Sequence, residues 1–253
     1  MTNPTSTSLN AERALDILLI LGEVGPEGLS LMEVSQKVGS GKSSVHRSLA
    51  ALQKKGFVEA AERYGHYRLG PAIPMLARRQ ERLEPQIELL RPGITEFSRR
   101  TGFGVYVMVE AGVDAVCAEM VSRTLRQHFS MGIGARVPMG VAAGSLALLS
   151  ILPEESAARI INANAERYIS HPSLLHIDAQ IVSQEVAAAR QRGYAVNNGF
   201  YLPGSGGLGL PVRPRATYDS PVALSFNAPL ELMTECWMDE TIAELRESIA
   251  PKA

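Results

Sequence analysis

Apolar residues recur every three or four positions through the first seventy residues, then every second position after Phe103. The chain therefore reads as a helical part followed by a mixed part. In "AERALDILLILGEV" the residues Ala14, Ile17, Leu18 and Leu21 form one apolar stripe, the spacing of an amphipathic helix. Asn10 is placed to cap that helix, and Gly25-Pro26-Glu27-Gly28 breaks it. Leu31, Val34 and Val38 repeat the helical spacing. Ser30 precedes them with Glu33 three residues on, the pattern of a capping box. Gly39-Ser40-Gly41 then predicts a turn, with Ser40 the expected cap of a third helix over Lys42 to Lys55. Along that third helix Val45, Leu49 and Leu52 share one side. Ser43, Arg47 and Lys54 fall opposite, flanked by Ser44 and His46.

Gly41-Lys42-Ser43 also spells the end of a phosphate-binding loop, which reads G-x-x-x-x-G-K-[ST]. Five positions before Gly41 stands Gln36, not glycine, and the preceding residues carry helical rather than strand periodicity. The segment is instead a helix, a glycine turn and a second helix, the outline of a helix-turn-helix.

After Gly56 two strand-like runs, "FVEAA" and "HYRLG", flank Glu62-Arg63-Tyr64-Gly65. A hairpin behind a helix-turn-helix is a winged helix. Pro71 closes it, and "AIPMLARRQERL" reads as a helical linker over 71–84. Pro85 predicts a helix running to Thr101, with Pro92 inside it bending it or removing a backbone bond. From Phe103 the alternation in "FGVYVMVE" and "AVCAEMV" predicts strands. Further strands fit "RQHFSMG", "YAV", "GLGLPV" and "VALSFN". Helices are expected near 140–151 and 154–165, from Asp178 to Gly193, and from Leu230 onward. The whole is α+β with an antiparallel sheet, divided as 1–70, a linker 71–84, and 85–253.

The 253 residues carry 45% hydrophobic and 20% charged side chains, an ordinary globular composition. No run approaches the roughly 20 apolar residues of a membrane span, so no membrane partner and a cytoplasmic location are expected. Cys117 and Cys236 match no zinc spacing, and no cofactor is implied. A net charge of -1 hides an uneven distribution. Between 37 and 68 stand Lys37, Lys42, Arg47, Lys54, Lys55, Arg63 and Arg68 against only Glu59 and Glu62, while 11–36 is acidic. That basic patch coincides with the third helix and the hairpin, where a solvated face alone would not need to be.

Double-stranded DNA is the partner this arrangement fits. A recognition helix sets its first residues against base edges and holds phosphates with later basic ones. The candidate contacts are Ser40, Lys42, Ser43, Ser44, His46, Arg47 and Lys54, with Arg63, His66 and Arg68 on the wing. Each alone is equally an ordinary exposed polar residue; the set is what points to DNA. Catalysis has little support. In "PGSGG", Pro203 occupies the place of the glycine in a nucleophile elbow, and "GSGGLGLP" lacks dinucleotide spacing. An enzyme with an accessory DNA-binding-like domain remains the competing class.

The segments "ALDILLILGE", "GLSLMEVSQKVGSGKSSVHRSLAALQKKGFVE" and "YRLG" resemble the DNA-binding domain of IclR-family bacterial transcription regulators. "IGARVPM", "LPEE", "RQRGYAV" and "PVALSFNAP" resemble the same family's second half. The resemblance implies a GAF-like effector-binding domain that senses a small organic acid, and control of catabolic genes by repression or activation. It carries the effector site onto Arg126, Phe129, Val137, Ala143, Gly144, Asn197, Gly207, Ser225 and Asn227, with core packing an equal alternative at each. The family's helix start becomes "GVAAGSLA", its acidic residue Asn197, its frequent cysteine Gly207 and its second serine Asn227. With less side-chain volume at Gly144 and Gly207, and without the acidic group, a medium-sized or aromatic acid is expected. A homodimer or dimer of dimers is expected too, because one recognition helix reads few base pairs and half-sites mirror protein symmetry.

Overall fold

A computed structural model describes residues 8–77, 83–122, 132–170, 177–200, 204–213 and 220–250. The chain divides into two compact units, Met1–Glu81 and Arg82–Ala253.

In the first unit α1 (Leu9–Gly22), α2 (Leu31–Val38) and α3 (Lys42–Lys54) pack around Ile17, Leu21, Val34, Val45 and Leu49, with Leu29 and Val58 completing the core. The start of α1 differs from expectation. Ser8 stands at its N-cap with no side-chain cap bond, and Asn10 lies inside the helix, where its Oδ1 accepts from Arg13 Nη1 at 2.8 Å. Ser30 does cap α2. Its Oγ accepts from Glu33 N while its own N donates to Glu33 Oε2 at 2.8 Å, closing the capping box. Ser40 does not cap α3; Gly41 holds that position. The Ser40 N–H instead bonds Ser35 O and Gly39 N–H bonds Gln36 O, so Ser40 belongs to the turn that ends α2. Gly39 supplies the left-handed residue of that turn, with φ 67°.

The wing is a three-stranded antiparallel sheet in the order β1 (Leu29–Ser30), β3 (His66–Leu69), β2 (Val58–Ala60). The two-residue β1 escapes sequence reading because it is too short to show alternation. It matters here because Ser30, the cap of α2, is also the register partner of His66. A short helix, α4 (Ala72–Ala77), follows the wing.

The second unit opens with α5 (Glu84–Thr101), which runs through Pro92. Its Gly93 meets the end of α10 (Glu235–Ser248): a Cβ there would lie 2.2 Å from Ser248 O. Between them β4 (Val105–Ala111), β5 (Asp114–Val121), β6 (Arg136–Pro138), β7 (Ala195–Asn197), β8 (Ser205–Val212) and β9 (Val222–Pro229) form one antiparallel sheet, ordered β6-β5-β4-β9-β8-β7. Alternation along the strands serves two cores. Val105, Val107, Leu208, Leu224 and Phe226 face α5 and α10. Tyr106, Met108, Cys117 and Ala223 face α6 (Ala143–Ile151), α7 (Glu154–Ala163), α8 (Ala165–Ser170) and α9 (Ala179–Arg192). Asp178 caps α9 through Ile181 N at 2.8 Å, and Gly193 ends it, as the sequence predicts. The last helix begins later than Leu230: Leu230–Leu232 form one 3-10 turn, and Thr234 caps α10. The strand expected at "RQHFSMG" lies almost wholly outside the described residues.

Candidate functional site

The first site is built by α3. Val45 and Leu49 are fully buried against α1 and α2, which turns Lys42, Ser43, His46, Arg47 and Lys54 to solvent. Ser44 and Ser40 are half-buried. Arg47 Nη2 donates to Ser44 Oγ at 3.2 Å, so the guanidinium is oriented along the helix before any ligand arrives. One exposed helical face thus gathers three cations or potential cations around Ser43.

The wing divides the other candidates. Arg63 is exposed in the turn between β2 and β3. Arg68 is paired across the hairpin with Glu59, Nε to Oε1 2.8 Å. His66 turns inward, its side chain only 11% exposed and its Nε2 3.8 Å from Glu33 Oε2. The Glu33 carboxyl is held below the usual carboxylate range, chiefly by hydrogen bonds from Ser30, with the charges of His66 and Arg63 adding to this. Sequence reading passed over Tyr64, which is fully exposed at the turn between Arg63 and Gly65. Its signal was available: an aromatic residue in a glycine turn has no neighbour to pack on.

The second site lies where α6 begins on the sheet. Asn197, Gly207 and Asn227 are opposite one another across β7, β8 and β9. Gly209, Ser225 and Tyr106 form the next row on the same face. Ala143 and Gly144 rest on these rows. A Cβ at Gly209 would stand 2.1 Å from Ala143 O, and one at Gly144 2.6 Å from Met108 Cγ. Ser145, fully buried, accepts from Gly140 N and Ala142 N, both at 3.0 Å. The first N–H groups of a helix have no intrahelical partner. At α6 the first turn, at Gly144, faces Ser225: a Cβ there would stand 2.8 Å from Ser225 Oγ. Ser225 is 8% exposed and its hydroxyl makes no hydrogen bond among the described residues.

Two expectations about this site change. Gly144 and Gly207 do not open space: Met108 and Ser225 fill what Gly144 leaves. Asn227 Oδ1 and Ala143 Cβ would lie 3.0 and 3.1 Å from a Cβ at Gly207. The glycines let helix and sheet approach closely. Asn197 is largely committed, its Nδ2 donating to Val141 O and its Oδ1 accepting from Gly199 N and Phe200 N. It ties the segment after β7 to the turn before α6. Val137 stands apart, on β6, three strands from Ser225, packed in the core at 2% exposure. Arg126 and Phe129 lie outside the described residues. Met108, Tyr106 and Phe200 are neighbours that sequence reading did not select. Among the described residues no group of His, Cys, Asp and Glu is placed to hold a metal, and no helix is long and apolar enough to cross a membrane.

A winged helix-turn-helix with a basic recognition face, joined in one chain to a sheet domain, defines a DNA-binding regulator with a C-terminal effector domain. Residues 10–62 match the IclR helix-turn-helix domain, and 85–250 match the bacterial transcriptional regulator IclR C-terminal domain. The chain belongs to the IclR family of transcriptional regulators and is not an enzyme. It is 34% identical over 149 residues to an HTH-type transcriptional regulator of Mycobacterium tuberculosis, a match spanning 59% of this chain and 56% of that one. It is 22% identical to the transcriptional repressor IclR of Escherichia coli, over 82% of this chain and 75% of that protein. A crystal structure of an IclR homologue from Microbacterium hydrocarbonoxydans, complexed with 4-hydroxybenzoate, shares the fold. Its TM-score is 0.68 at 18% identity, over 93% of this chain and 98% of that one.

Proposed function

We propose that this regulator binds a two-fold symmetric operator through α3 and the wing, and that a small organic acid, of the aromatic class, controls it from the α6 end of the second unit. The observation that carries the reading is the exposed face of α3, with Lys42, Ser43, His46, Arg47 and Lys54 set opposite buried Val45 and Leu49. Arg47 is the base reader, matching the two acceptors of guanine, while Ser43 and Ser44 tolerate several bases. Lys42, His46 and Lys54 meet phosphates, joined by Arg63 from the wing. A homodimer or dimer of dimers presents two such helices to successive half-sites. The regulated genes are catabolic, their substrate or product being the effector.

Support for an acid effector comes from the start of α6, where first-turn N–H groups attract anions, and from the buried hydroxyl of Ser225, which faces Gly144. Support for the aromatic class comes from the relative that holds 4-hydroxybenzoate. Selection of duplexes from a random pool, followed by gel shifts across a salt series, tests the first part; an enzyme with an accessory domain would show no salt-dependent duplex binding. Calorimetry against hydroxybenzoates, phenylpropanoids and short oxo-acids tests the second. Binding of glyoxylate or pyruvate with no aromatic acid would overturn it.

A further inference from the structure

The imidazole of His66 sits where three parts of the DNA-binding unit meet. Its backbone belongs to β3, opposite Ser30 of β1. The His66 backbone N–H donates to Arg63 O at 3.1 Å, closing the wing turn, and Gly65 makes that turn possible with φ 75°. Its Nδ1 lies 3.2 Å from Tyr64 O. A carbonyl only accepts, so Nδ1 carries the proton there and Nε2 is left for the other side. On that side is Glu33 Oε2, 3.8 Å away, already receiving Ser30 N at 2.8 Å and Ser30 Oγ at 2.6 Å. In its protonated form the ring therefore bridges the tip of the wing and the first turn of α2. The other charges nearby are Arg63, which also acts on Glu33, and Arg68, which is paired with Glu59.

We propose that Glu33 and His66 are positioning residues for DNA binding: they hold the wing turn against the helix-turn-helix, so that Arg63 and Tyr64 meet the duplex together with α3. This rests on the DNA-binding assignment and revises the role of His66, which sequence reasoning places among the DNA contacts. An inward-facing imidazole makes a poor phosphate ligand. Glu33, an acid on a DNA-binding unit, by simple electrostatics should weaken affinity for a polyanion. The proposal gives it the opposite effect.

Glu33→Gln separates the two readings, because glutamine also serves in a capping box and leaves α2 capped. In the full-length protein, with the duplex it selects, Glu33→Gln is expected to weaken binding roughly three- to fivefold, the range of one partly exposed ion pair. His66→Ala should lose at least as much, since it also removes the contact to Tyr64 O, and the double variant no more than His66→Ala, because the Glu33–His66 contact is already gone there. The slope of affinity against salt should fall by the same amount in all three, by at most about one, because the Arg63 phosphate contact is loosened in each. Tighter or unchanged binding by Glu33→Gln overturns the proposal. So does a slope that falls in His66→Ala but not in Glu33→Gln, the mark of a direct phosphate contact by His66, or a double variant whose loss is the product of the singles. Circular dichroism of Glu33→Gln confirms that α2 is intact, so a loss of binding there is a loss of position.

Discussion

Ser225 and Gly144 meet face to face where β9 supports the first turn of α6: a Cβ added to Gly144 would stand 2.8 Å from Ser225 Oγ and 2.6 Å from Met108 Cγ. Gly144→Ala must push the helix from the sheet or displace both neighbours. It is expected to destabilise the protein by about 1 to 3 kcal/mol. Effector binding should fall with it, while duplex binding by the N-terminal unit stays at its wild-type affinity. Thermal denaturation and calorimetry check this; an unchanged melting temperature would mean that α6 sits further from β9.

The two β8 glycines beneath α6, Gly207 and Gly209, should differ. At Gly209 the obstacle is the Ala143 carbonyl, 2.1 Å from the added carbon and part of the backbone. At Gly207 the nearest atoms are Asn227 Oδ1 at 3.0 Å and Ala143 Cβ at 3.1 Å, and the amide can turn away. Gly209→Ala should therefore lower the urea midpoint much more than Gly207→Ala, at an unchanged slope. Equal midpoints would contradict the close approach of α6 to β8.

Arg47 and Lys54 share a helix face but not a task. Arg47→Ala is expected to cost about 1 to 3 kcal/mol and to relax base preference. Lys54→Ala should weaken all duplexes alike and flatten the salt dependence by about one. Quantitative gel shifts on the selected duplex and its point variants distinguish them. If neither substitution alters binding, α3 is not the reading helix.

The two thiols should react in sequence. Cys117 is fully buried in the sheet, and burial raises its pKa to about 11. Cys236 is exposed on α10; its pKa is also raised, first by its hydrogen bond to Glu240. A thiolate-seeking aromatic disulfide at pH 8 should modify one thiol in the native protein, slowly, and the second only in denaturant. Faster reaction of Cys236 in Glu240→Gln would follow from the same hydrogen bond. Two equivalents reacting in the native state would place Cys117 at a surface.

The helices of the first unit were legible because each carries its own punctuation. Ser30 with Glu33, the Gly39 turn and the Val45–Leu49 spacing act within a few residues of themselves, so sequence alone reveals them. Asp178 and Gly193 bracket α9 by the same local means. The caps expected at Asn10 and Ser40 fall a residue or two away, at Ser8 and Gly41; the other departures are long-range. Asn197 looked like a ligand donor, yet its amide is occupied by Val141, far away in sequence. Gly144 and Gly207 looked like vacated volume, but a missing side chain does not say what moves in. Here Met108, Ser225, Ala143 and Asn227 did. Val137 was carried over from a motif that follows the chain, while the sheet order sets it three strands from Ser225 and Asn227 and further still from Gly207 and Asn197.

The central pair of the large sheet joins Val105 to Phe226 and Val109 to Val222, strands from opposite ends of the second unit. As the chain leaves the ribosome, β4 waits for β9 until almost all of that unit has been made. The unit before it closes on contacts within its own first seventy residues, Leu29 with Tyr67 among them, so it can fold once these have emerged. A nascent chain is therefore a folded DNA-binding head well before its sensor exists. For that interval any operator contact it makes would be without effector control.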